Sequence, residues 1–171
     1  MTQSLVVEER GHPLSFTFDD VMRFHAPLDG PHSPGGVAVA FQAMRRAFPL
    51  LSPDGPPQRR SIVVRTAFRG PGARDGFEAV TRAVSDGRYV VDRSLVREDR
   101  GRLLEDFVFQ VGIGGNTLTL VLREGFVTGE FIGLARTENH TPAQEQRLDT
   151  LKAQLAQQVM AASPAEVFDL V

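Results

Sequence analysis

The segment from Pro34 to Phe48 constrains the fold more than any other part of the chain, because it combines a helix start with a long apolar run. Ser33 stands at the N-cap position before it, and proline suits the first helical position. The apolar side chains then recur at helical spacing, at Val37, Phe41, Met44 and Phe48. Pro49 predicts the end of this helix. The spacing therefore predicts a helix from about Pro34 to Phe48.

The composition predicts one folded domain spanning residues 1–171. A chain of this length can bury a sizeable core. Hydrophobic residues make up 42% and charged residues 23%, far from the composition of disordered proteins. The net charge of -2 creates no field that would attract nucleic acid or an anionic membrane. Because no apolar run has the length of a membrane span and no signal segment is evident, we expect a cytoplasmic protein without nucleic-acid or membrane partners.

The chain contains no cysteine. This excludes disulfides, thiolate zinc sites, iron–sulfur clusters and thiol nucleophiles within the chain. A metal ion would have to be held by histidine, carboxylate or water ligands.

Turn signals and side-chain periodicity predict an α+β fold. Strands are predicted at residues 4–8, 61–68, 89–91, 105–113, 116–123 and 126–135. Further helices are predicted after N-cap signatures at Thr17, Asp75, Thr141 and Ser163. Gly114 and Gly115 predict a hairpin turn, so the last three strands form an antiparallel meander. The prediction is a mixed or antiparallel sheet flanked by helices, with the helix after Thr141 laid back on it.

His25 and His32 are the candidate metal ligands. Neutral imidazole binds zinc, nickel and iron, and Asp29 or water would complete the site. In the alternative interpretation, one histidine caps a helix and the other is solvated.

Ser33, Gly35 and Gly36 are the candidate ligand-binding residues. They begin a helix, where free backbone N–H groups and the helix dipole attract a phosphate or carboxylate. Helix capping by Ser33 and close packing at the glycines are the alternative interpretations.

Five arginines surround the strand predicted at residues 61–68 and could bind carboxylates or phosphates through their guanidinium forks. They are Arg59, Arg60, Arg65, Arg69 and Arg74. The alternative is a solvated strand face. Similarly, the apolar stripe of Leu148, Leu151, Leu155 and Val159 fits either a dimer surface or burial within the monomer.

Phe24 and His25, followed by Ser33, Pro34 and Gly35, resemble the Phe-His-Gly-His-x-Cys-Pro-Gly signature of the formylmethanofuran dehydrogenase E-subunit family. The segments DGFEAVTRAV from Asp75 and SPAEVFDLV from Ser163 are also similar to that family. Two features differ from its pattern. Six residues, Ala26 to Pro31, separate His25 from His32, and Ser33 stands at the position of the family's cysteine.

This resemblance implies a mixed sheet flanked by helices, related in fold to the catalytic domain of glyceraldehyde-phosphate dehydrogenases. It also implies a homodimer and a metal-binding ancestry, but no dehydrogenase activity. We therefore expect a small protein that binds a divalent zinc, nickel or iron ion, or a small anionic ligand, between His25 and Gly36.

Two alternatives remain open at this point. One is a non-catalytic interaction or scaffold domain that has lost the family's metal site. The other is a hydrolase or lyase with a histidine as general base, although no complete catalytic motif is present.

Overall fold

The computed structural model describes residues 3–26 and 32–171 and has an α+β fold. Its strands are β1 (Ser4–Glu9), β2 (His12–Thr17), β3 (Val63–Thr66), β4 (Tyr89–Val91), β5 (Val108–Ile113), β6 (Asn116–Leu122) and β7 (Phe168–Leu170). Its α-helices are α1 (Phe18–His25), α2 (Pro34–Leu51), α3 (Pro71–Thr81), α4 (Gly129–Ala135), α5 (Pro142–Ala161) and α6 (Pro164–Val167).

The larger sheet is mixed, with the strand order β4-β3-β5-β6-β7. β3 and β4 are parallel, and all its other neighbouring strands are antiparallel. A parallel pair needs a crossover connection, and α3 lies in the crossover between β3 and β4. β1 and β2 form a separate antiparallel hairpin. The predicted fold class is thus confirmed at the level of an α+β protein with a mixed sheet.

α2 is the central helix of the core. Every residue from Val37 to Met44 is buried, so this part of the helix is enclosed on all sides rather than on one face. Gln42, which lies within this stretch, donates hydrogen bonds from its amide to the carbonyl oxygens of Val159 and Ala162, both at 2.8 Å. These bonds satisfy carbonyl groups at the end of α5 that have no partner within the helix.

The helix N-caps predicted at Thr17, Thr141 and Ser163 are present, and each forms a capping box. Thr17 with Asp20, Thr141 with Gln144 and Ser163 with Glu166 each exchange side-chain and backbone hydrogen bonds. The hairpin turn at Gly114 and Gly115 is also confirmed, with φ angles of 59° and 86°.

The strand predicted at residues 126–135 is wrong. Residues 129–135 form α4 instead, because the Thr128 hydroxyl accepts a hydrogen bond from the Phe131 N–H and caps a helix there. The place beside β6 is taken by β7, from the C-terminal end of the chain. The helix end predicted at Pro49 is also wrong, because α2 continues to Leu51.

Asp75 does not cap a helix, contrary to the prediction. α3 begins earlier, with Gly70 at the N-cap and Pro71 in its first turn. Asp75 therefore lies one turn inside α3, where its buried side chain faces α1.

Glycines allow α2 and α3 to touch through their backbones near their first turns. A Cβ on Gly36 would lie 2.9 Å from the backbone nitrogen of Ala73. One on Gly72 would lie 2.8 Å from the Cβ of Ser33 and closer still to the Ser33 carbonyl oxygen. Real Cβ atoms do not approach other atoms so closely, so this crossing requires glycine.

The apolar stripe of α5 is buried within the monomer, with Leu148, Leu151, Leu155 and Val159 all in the core. This confirms the interpretation of that stripe as an internal surface. No helix in the described ranges is both long enough and apolar enough to cross a bilayer.

The α2–α3 crossing can be tested with Gly72→Ala. The new methyl group would overlap backbone atoms of Ser33 that no side-chain rotation can move. We expect the free energy of unfolding, measured by urea denaturation, to fall by about 1–3 kcal/mol.

Gly133→Ala in α4 is the matched control, because its Cβ would meet nothing within 4 Å. We expect that variant to gain about 0.5–1 kcal/mol from the higher helix propensity of alanine. Equal unfolding free energies for the two variants would contradict the proposed role of Gly72.

Candidate functional site

His25 is buried at the C-terminal end of α1, and both of its ring nitrogens are hydrogen-bonded. Nδ1 lies 2.7 Å from Oδ2 of Asp75, and Nε2 accepts a hydrogen bond of 2.9 Å from the backbone N–H of Ser33. Because Nε2 accepts, the ring proton sits on Nδ1 and is donated to Asp75. The imidazole is therefore neutral and connects α1, α3 and the start of α2.

His32 differs from His25 in its exposure and in its contacts. Its side chain is exposed, and its ring stacks on that of His25 with the ring centroids 5.3 Å apart. Its backbone carbonyl accepts a hydrogen bond of 3.0 Å from Nζ of Lys152. The two histidines are thus adjacent, as the spacing suggested, but only one is built into the core.

This arrangement does not fit a metal ion. A metal could reach Nε2 of His25 only by replacing the Ser33 N–H, and Nδ1 is already paired with Asp75. Residues 3–26 and 32–171 contain no group of three or more His, Asp or Glu side chains that could hold a metal. Asp29, the carboxylate suggested as a further ligand, lies outside the described residues.

Ser33 occupies the predicted N-cap position of α2, but its side chain makes no capping hydrogen bond. α3 also begins without a side-chain cap, and the two helix starts lie against each other. Gly35 packs closely against α5, because a Cβ there would lie 2.7 Å from Cδ2 of Leu155 and that side chain would have to move. Close packing therefore accounts for both candidate glycines of α2. They lie at the N-terminus of this helix, as predicted.

A cleft of about 640 Å³ opens beside these helix starts. Its walls come from His32 and Ser33, the segment 68–71 after β3, the segment 102–107 before β5, and the facing sides of α4 and α5. We refer to this cavity as the cleft. Its apolar lining consists mainly of Phe68, Leu103, Phe107, Phe131, Ile132 and Leu148.

Thr66 shapes the wall of the cleft formed by residues 68–71. Its buried hydroxyl donates to the carbonyl oxygen of Val108 at 2.6 Å and accepts from the N–H of Phe68 at 3.0 Å. These bonds place the Phe68 ring beside that of Phe107, with a centroid distance of 4.7 Å. The result is an aromatic wall on one side of the cleft.

A narrow extension of about 50 Å³ continues from the cleft towards α2 and α3. Ser33, Phe68, Phe107, Phe131 and Lys152 are among the residues that line both spaces. The rest of the extension is lined by glycines and apolar side chains, namely Gly35, Gly36, Val39, Gly70, Gly72 and Leu155.

Some of the cationic side chains that line the cleft form no ion pair within the described residues. Its cationic residues are Arg69, Arg102, Arg136 and Lys152, and its carboxylates are Asp106, Glu145 and Asp149. Arg136 lies 3.8 Å from Glu105, and Asp106 lies 2.9 Å from Arg93. The guanidinium groups of Arg69 and Arg102 have no hydrogen-bond or ion-pair partner among the described residues.

The other arginines of the predicted group have structural partners. Arg59 donates to the carbonyl oxygens of Ala79 and Val80 at the end of α3. Arg65 pairs with Asp92, and Nε of Arg74 lies 3.4 Å from Asp75.

Arg60 lies between Glu9 and Asp86 on the surface, at 3.0 and 2.6 Å. Its hydrogen bonds hold the pKa of both carboxyl groups below their ordinary values. Of the five arginines, only Arg69 lines the cleft.

Sequence reasoning missed most of the cleft. Arg102, Arg136 and Lys152 belong to segments far apart in the chain and form no motif. Lys152 had one available signal, because it is the only lysine in the sequence.

Comparison with models of known protein families finds no match for this chain, and comparison with curated proteins finds none either.

The structural role of His25 can be tested with His25→Ala. The variant removes the hydrogen bonds that the buried His25 ring forms with the carboxylate of Asp75 and with the backbone N–H of Ser33. We expect the free energy of unfolding to fall by at least about 2 kcal/mol.

His32→Ala, which removes the exposed neighbouring ring, is the control and should stay within about 0.5 kcal/mol of the unmodified protein. Similar effects of the two substitutions in chemical denaturation would show that His25 does not connect the helices as described.

Proposed function

We propose that this protein binds a small anionic molecule in the cleft. The observation that carries the proposal is the pair of arginines, Arg69 and Arg102, that line the cleft without a partner among the described residues. Guanidinium groups bind carboxylates and phosphates through two parallel hydrogen bonds. The volume of about 640 Å³ lies within the usual range of small-molecule pockets.

The start of α2 supports the same proposal. Gly35 and Gly36 lie in the first turn, and both line the extension of the cleft. Their backbones would therefore contact the part of a ligand that enters the extension. Lys152 adds a full positive charge on the facing helix.

The proposal names binding rather than a reaction. His25 is the histidine that the sequence offered as a general base or metal ligand, and both its nitrogens are used in the core. A general base needs a free acceptor within reach of the substrate proton. No step of the proposed function therefore runs through His25 or through a metal ion.

We also infer a distant relation to the formylmethanofuran dehydrogenase E-subunit family. It is supported by the hydrogen bond between His25 and the N–H of Ser33, which joins the two parts of the sequence that resemble the family signature. The likeness in fold to the catalytic domain of glyceraldehyde-phosphate dehydrogenases belongs to this proposal. The homodimer and the cytoplasmic location remain predictions.

Anion binding can be tested by thermal denaturation and calorimetry with inorganic phosphate, sulfate, acetate and octanoate. We expect at least one of these anions to raise the melting temperature, because a ligand that binds only the folded state stabilises it. Arg69→Gln and Arg102→Gln should each weaken binding by about tenfold or more, the equivalent of one charged hydrogen bond.

Arg10→Gln is the matched control. Arg10 is exposed in the turn between β1 and β2 and has no partner among the described residues, so its loss changes the net charge equally. An equal loss of affinity in this control would indicate a general charge effect. If no anion binds, the proposal fails and the interaction or scaffold domain becomes the better hypothesis.

A further inference from the structure

We infer that the anion is an organic monocarboxylate with an apolar body, such as a medium-chain fatty acid or an arylalkanoic acid. This inference rests on the proposed function and specifies the class of ligand.

The first argument is the apolar lining. Phe68, Phe107 and Phe131 line the cleft together with aliphatic side chains of α4 and α5. A compact, fully hydrated anion such as phosphate would leave this surface without a partner. An apolar body would bury it, and burial of apolar surface is the main source of affinity in such pockets.

The second argument is the separation of charge from apolar surface within the cavity. Arg69 and Arg102 line the cleft but not its extension. The extension is lined by apolar side chains and glycines, with Ser33 and Lys152 as its polar side chains. A ligand that pairs its carboxylate with the arginines can therefore direct its apolar end towards α2 and α3.

The third argument is the amount of charge. Four cationic side chains and three carboxylates leave the cleft with a formal charge of one positive unit when His32 and His140 are neutral. This balance suits a monoanion. A di- or trianion would remain partly uncompensated in a mostly apolar space, at a high cost in desolvation.

The test is a homologous series of straight-chain carboxylates from acetate to octanoate, measured by calorimetry together with inorganic phosphate. We expect affinity to rise about fourfold per methylene group until the extension is filled. Arg69→Gln and Arg102→Gln should lower the affinity of every member by a similar factor, while Arg10→Gln should not.

Phe131→Ala probes the apolar end, because this half-buried ring lines both the cleft and its extension. We expect it to flatten the dependence of affinity on chain length, so that octanoate loses more affinity than acetate.

A second measurement needs no variant and so does not depend on how a variant folds. Lys152 is the only lysine and lines both spaces, so an amine-acylating reagent can modify only Lys152 and the α-amino group. Octanoate at ten times its dissociation constant should slow acylation of Lys152 by roughly tenfold. The α-amino group, read in the same mass spectra, is the internal control.

The outcomes separate the two proposals. If phosphate and acetate bind as tightly as octanoate, the inferred ligand class is wrong and the proposed anion binding stands. If octanoate binds equally well to both arginine variants, or leaves Lys152 unprotected, it does not occupy the cleft and the inference is overturned. If no anion in the series binds, both proposals fail.

Discussion

The close approach of α2 and α3 is the constraint on which the rest of the structure depends. The backbones meet at Gly36 and Gly72, where any larger residue would overlap main-chain atoms. This contact places Asp75 of α3 near the end of α1, so that His25 can bond to Asp75 and to the N–H of Ser33. It also sets Gly70 beside the start of α2, where the extension of the cleft lies.

The chain uses most of its arginines to satisfy its own polar groups. Arg59 and Arg88 donate to backbone carbonyl groups around the end of α3, and Arg93 pairs with Asp106. Surface ion pairs of this kind contribute little energy individually. Against this background, Arg69 and Arg102 are informative, because these exposed side chains line the cleft and have no partner in the part of the chain that the structure describes.

Local signals were reliable where a few neighbouring residues decide the structure. The capping boxes at Thr17, Thr141 and Ser163 depend only on residues three positions apart, and a helix begins at each of these N-caps as predicted. The Gly114–Gly115 turn is local in the same way. Phe126 to Ala135 shows the limit, because its apolar residues fit either a strand or a short helix, and periodicity alone does not separate the two.

The candidate site was predictable only in part. Ser33 and the glycines form the start of α2, and His25 precedes them by only a few residues. Their proximity could therefore be predicted from the sequence. Their roles did not, because the partner of His25 lies fifty positions away, and Asp75 has the sequence environment of a helix cap.

The sequence alone determined the α+β class, the helix that begins at Pro34 and the exclusion of thiol chemistry, since these depend on composition and local pattern. Only the tertiary structure decided that His25 is a buried connection between helices and that Arg69, Arg102 and Lys152 share one cleft. The reason is physical: which groups are buried, paired or left free depends on how distant segments pack, and no short stretch of sequence records that packing.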